Sequence, residues 1–152
     1  MVSLTSITRQ SLPDEEYLIL LGASLCVFNS NNAFVIENIL KLDTSSTENW
    51  YDLIDLTSGH KKMKEAIDKT IGNHELGERV KTSFCELVDM RNRIIHSFQI
   101  TSDSGEQILA TKYRENDEEF PSKQFHITKE YLLEFIEKNQ KLSDLLDEIK
   151  GY

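Results

Sequence analysis

Residues 76–98 read LGERVKTSFCELVDMRNRIIHSF, and the reading of this stretch decides the fold. Leu76, Val80, Phe84, Leu87, Val88, Ile94, Ile95 and Phe98 recur three and four positions apart, the period of one face of an α-helix. The spacing predicts a long amphipathic helix whose apolar side lies against other helices. Arg91 interrupts that side. At about 100° per residue it leaves the helix along the mean direction of Leu87, Val88, Ile95 and Phe98. An unmatched guanidinium there costs several kcal/mol, so it needs an acid, a helix end, a phosphate or a partner subunit. Glu37, a lone acid in an apolar run, is the simplest internal partner. With that salt bridge the chain would be a plain helical scaffold.

Upstream, a first helical block opens at Ser11-Leu12-Pro13-Asp14-Glu15-Glu16, where the proline and the acids favour a helix start. It runs through Tyr17 to Phe28, and the apolar pattern resumes at Phe34, Val35, Ile36, Ile39, Leu40 and Leu42. The Asn29-Ser30-Asn31-Asn32 tract is poor in helix propensity. One long helix weakened at that tract is expected, rather than two. Asp43 to Glu48 reads as a polar capping loop, followed by a short helix around Trp50 to Leu56 and a turn at Ser58-Gly59. Another helix covers Lys61 to Ile71 and stops at Gly72-Asn73. Phe28, Phe34, Trp50 and Tyr51 are expected to pack the bundle.

Beyond Phe98 the character changes. Gln107 to Tyr113 and Lys123 to Ile127 partly alternate, and the acidic segment from Arg114 to Ser122 lies between them. This predicts a β-hairpin with a long solvated tip, where Glu115 to Glu119 could meet a basic partner. A final helix begins near Thr128, with a stripe at Leu132, Phe135, Ile136, Leu142, Leu145, Leu146 and Ile149. The expected fold is therefore mainly all-α, a single domain over residues 1–152. It is an up-and-down bundle of four to five helices with a small β-hairpin insert before the C-terminal helix.

The 152 residues can bury a core, and 39% hydrophobic with 28% charged residues suits a soluble domain. Cys26 and Cys85 sit in apolar runs without metal-ligand spacing, which suggests packing roles in a reducing cytoplasm. The N-terminus lacks the pattern of a secretory signal. The apolar run Tyr17 to Phe28 is twelve residues long, against roughly 20 for a bilayer span, so no membrane association is expected. A net charge of −9 opposes indiscriminate gripping of nucleic acid. Residues 60–96 nevertheless carry eight Lys/Arg against six acids, a local +2, while the remainder carries −11. The one non-acidic third of the chain is the third that holds Arg91 and His96.

Arg is permanently charged and forks onto phosphate oxygens. His, with an ordinary pKa of about 6.5, suits proton transfer near neutrality. His96 lies about 140° around the helix from Arg91 and shares a face with Asn92 and Asp89. Arg93 and Arg79 lie further round that side as candidate substrate contacts. Asp89 could instead hold the His96 ring. One straight helix keeps Arg91 and His96 apart, so a bent helix end or a second copy is needed to bring both to one phosphate. His60, His74 and His126 are scattered, no metal spacing occurs, and the six glycines form no phosphate loop. No metal and no cofactor are expected.

Arg91-Asn92-x-x-x-His96 resembles the Arg-polar-x(3–5)-His signature of the HEPN family, the higher eukaryote and prokaryote nucleotide-binding domains. The helix order from Pro13 to Ile149 is similar in outline. The resemblance implies a helical, metal-independent endoribonuclease acting on RNA by 2′-hydroxyl transesterification. It also implies a homodimer that brings two motifs into one cleft. Arg91, Asn92 and His96 would be catalytic, Arg93 and Arg79 substrate-binding. The implied setting is a cytoplasmic toxin–antitoxin or phage-defence system, with an antitoxin or regulatory protein as partner. The alternative is a catalytically silent HEPN-like module for dimerisation or for nucleotide or protein binding.

Overall fold

The computed structural model describes residues 2–43, 49–56, 59–115, 117 and 124–151. Among these, five α-helices and a small antiparallel sheet follow one another. The helices are α1 (Glu15–Leu42), α2 (Trp50–Ile54), α3 (Lys61–Lys69), α4 (Gly77–Ile95) and α5 (Lys129–Lys150). The strands β1 (Phe98–Thr101), β2 (Gln107–Thr111) and β3 (Phe125–Ile127) lie between α4 and α5 in the order β1-β2-β3. This is the expected mainly helical fold with its β insert. The expected polar loop beyond Asp43, Ser58 of the expected turn and most of the acidic hairpin tip lie outside the described residues.

α1, α4 and α5 supply most of the core, joined by Leu53 of α2, Met63 and Ile67 of α3 and Ile127 of β3. Phe28 of α1 stacks on Phe84 of α4 at 6.3 Å and on Phe135 of α5 at 6.1 Å. α1 and α5 run parallel. Lys129 pairs with Asp14 and Glu16 at 2.8 Å at one end, and the Lys41 ammonium donates to the Lys150 carbonyl at the other. α4 runs antiparallel to both. The helix starts obey local chemistry: the Asp14 and Thr128 side chains accept from the N–H groups of Tyr17 and Tyr131, satisfying donors with no partner inside the helix.

The Asn tract does not break α1. Asn31 is buried, and its amide donates to both the Asn139 carbonyl (2.7 Å) and the Asn139 side-chain oxygen (3.0 Å). A buried partner on α5 overrides weak local propensity. By length and composition α1 is also apolar enough to cross a membrane, because its apolar character continues past Phe28. In this fold 33% of its most apolar window is buried.

The start of α4 is fixed by a close approach. A Cβ on Gly77 would stand 2.2 Å from the Ile71 carbonyl oxygen, so only glycine lets the 3-10 turn Ile71–Asn73 abut the helix. Ile127 of β3 is buried in the core with Leu109 of β2 packed against it, and one phenol of α1 bonds both strands. Tyr17 donates to the Ile127 carbonyl at 2.6 Å and accepts from the Leu109 N–H at 3.0 Å.

Three expectations are corrected. Phe98 leaves the helical stripe and opens β1, a strand absent from the expected hairpin. Cys26 and Cys85 are exposed rather than packed. Tyr51, at 75% exposure, is not a core residue, although Phe28 is.

Candidate functional site

The last turns of α4 hold the Arg/His motif. Arg91 is half-buried, with its guanidinium carbon 5.5 Å from the centre of the Phe28 ring. One of its nitrogens donates to the side-chain oxygen of the adjacent Asn92 at 3.1 Å. Among the described residues Arg91 forms no ion pair. The expected internal partner, Glu37, is exposed and pairs with Lys150 at 3.8 Å. A guanidinium has five N–H donors, so the ring and one amide oxygen leave most of its capacity open.

His96 is the residue that ends α4. Its backbone N–H donates to the Asn92 carbonyl at 3.1 Å, and its side chain is exposed with no hydrogen-bond partner among the described residues. Asp89 does not hold the ring, since its carboxylate faces Arg114 at 3.4 Å. Asn92 is half-buried between the two ends of the motif. Five residues of helix separate Arg91 and His96 by about 7.5 Å along the axis and 140° around it. No hydrogen bond joins them. One copy of the chain presents the cation on one flank of the helix and the imidazole at its tip.

The two other arginines stand apart. Arg93 is about 200° around the helix from Arg91. Its two terminal nitrogens donate to the Asp117 carboxylate at 3.2 and 2.5 Å, and its guanidinium carbon lies 4.3 Å from the Phe125 ring centre. Both side chains of this pair are largely buried. The Arg93 hydrogen bonds and the Arg114 N–H hold the Asp117 carboxyl below its ordinary value. Arg93, expected at the substrate, is therefore occupied by the protein itself. Arg79 is exposed but sits twelve residues before Arg91, about 18 Å along the helix. The structure brings together Arg91 and Asn92, sets His96 beside them, and separates Arg93 and Arg79 from the group.

Sequence reasoning passed over several neighbours. Phe28 seats Arg91, and Phe125 with Asp117 seats Arg93. Tyr131 backs the same turn by donating to the Met90 carbonyl at 3.2 Å, and burial pushes its phenol pKa up. Only tertiary contact reveals these roles, since Phe28 is 63 positions from Arg91. Among the described residues, no group of three or more His, Cys, Asp or Glu is placed to hold a metal ion. No protein-family model matches the chain, and no curated protein or solved structure matches it.

Proposed function

We propose that this protein is a metal-independent endoribonuclease of HEPN type that cleaves RNA by 2′-hydroxyl transesterification. It would act as a homodimer, in a cytoplasmic toxin–antitoxin or phage-defence setting. The observation that carries this reading is the half-buried Arg91, which has no carboxylate partner among the described residues and stands about a turn and a half from an exposed, unengaged imidazole.

In the proposed reaction the 2′-oxygen attacks the adjacent phosphorus and the 5′-oxygen departs. The products are a 2′,3′-cyclic phosphate and a 5′-hydroxyl. Arg91 neutralises charge building on the equatorial oxygens. His96 removes the 2′-hydroxyl proton or delivers one to the leaving oxygen, work typically worth about 10²–10⁴-fold. Asn92, already bonded to Arg91, fixes the direction of the guanidinium fork. The separation of Arg91 and His96 on one helix gives the second copy its role, since its motif supplies the missing half of the cleft. DNA lacks the nucleophile and is inert.

A silent HEPN-like module for nucleotide or protein binding is the second reading. The Arg93–Asp117 pair favours it, because that pair removes a cation from an already acidic surface. Incubation of purified protein with total RNA in EDTA separates the two. The nuclease cleaves, leaves cyclic-phosphate ends, and loses at least a hundredfold in rate with His96→Ala or Arg91→Ala. Equal traces from wild type and both variants would sink it.

A further inference from the structure

We propose that Phe98 is a base-stacking platform for the nucleotide beside the scissile phosphate. This rests on the ribonuclease reading above and deepens it by assigning a residue that positions the substrate.

Three features converge at the end of α4. Ile95 and Phe98 are 41% and 45% exposed, on either side of the exposed His96. Two residues separate the Cα atoms of His96 and Phe98 by no more than about 7 Å, roughly the span of one nucleotide. Phe98 also opens β1, an outer strand of the sheet, and pairs across to the buried Ala110. The far edge of β1 has no strand partner among the described residues. Its free peptide groups can meet the polar edge of a base stacked on Phe98.

The acidic balance favours an uncharged contact. The chain carries −9, Arg93 is neutralised by Asp117, and Arg79 is about 18 Å from Arg91. Of the three α4 arginines considered for the substrate, Arg91 alone then stands beside His96 to neutralise a phosphate, the usual source of nucleic-acid affinity. A stacked base supplies affinity without charge, tolerates any sequence because each base has a π-face, and requires that base to be unpaired. Tyr51, the other strongly exposed aromatic among the described residues, lies on α2 rather than beside the motif.

The test uses a short unstructured RNA carrying 2-aminopurine or an end-label. Binding is read in the non-cleaving His96→Ala background, and cleavage in the otherwise wild-type chain. Phe98→Ala weakens binding about 5- to 100-fold, the effect of losing one base–aromatic stack. It also abolishes 2-aminopurine quenching and raises KM more than it lowers kcat, whereas Phe98→Trp restores all three. If Phe98→Ala binds within twofold of its parent while His96→Ala abolishes cleavage, the nuclease reading stands and the stacking proposal falls. Dissociation of the dimer by Phe98→Ala in sedimentation also overturns stacking, since the ring then belongs to the subunit interface. If the wild type leaves RNA intact, the nuclease reading fails, and unquenched binding in the His96→Ala background overturns stacking with it.

Discussion

Arg91 and Arg93 are two positions apart and chemically alike, yet they are held differently. Each guanidinium lies against a phenylalanine, Phe28 or Phe125, and only Arg93 also has a carboxylate. The Arg93–Asp117 pair therefore belongs to folding, and its pH dependence follows from the depressed carboxyl. A group whose pKa is lower in the folded state adds stability above its ordinary value, here 3.8, and loses it as pH falls through the folded value. Asp117→Asn should thus lower Tm at pH 6, and the gap to wild type should close progressively below about pH 4. A gap constant from pH 6 to pH 2 would contradict the pairing. In the sequence all three motif residues were legible, because Arg, amide and His at that spacing carry their own chemistry. The different fates of Arg91 and Arg93 were not, since Asp117 is 24 positions away and its place depends on how the chain returns after β2.

At the scale of elements, Tyr17 supplies hydrogen bonds at the joint between the helices and the sheet, beside the apolar packing of Ile127 and Leu109. Its hydroxyl bonds both β2 and β3, and the ring is fully buried in the core. Removing the hydroxyl leaves a buried carbonyl and N–H without partners, a loss of about 1–3 kcal/mol. Tyr17→Phe should therefore lower the unfolding free energy from urea titration by that amount, and amide exchange at Leu109 should accelerate. Unchanged exchange would show that the sheet is held some other way. The helices themselves were readable from periodicity and caps, to within a few residues at each end. The sequence reading lost β1 because Phe98 falls in phase with the helical stripe of α4. Only the turn at His96 and Ser97 takes it out of phase. Cys26 misled for a related reason: α1 is apolar on nearly every side, so composition does not say which side is inward.

For the whole molecule, the distribution of charge sets how RNA would be held. Single-stranded nucleic acid releases counterions in proportion to the phosphates neutralised, with a slope near −0.7 per contact. Two Arg91 side chains in a dimer give a log-affinity against log-salt slope of about −1.4 for the His96→Ala protein. A slope steeper than about −4 would mean that a basic surface elsewhere carries the binding, against the acidic balance of the chain. Finally, the guanidinium sits against the three-helix core at Phe28, whereas the imidazole rides on the link into β1. These two anchors are of unequal sturdiness, one clamped by stacked aromatic rings and the other leading into a largely exposed edge strand with a strand neighbour on one side only among the described residues. Warming would slacken the weaker mount first, so the alignment of the two side chains would drift while the helical signal in circular dichroism still looked intact.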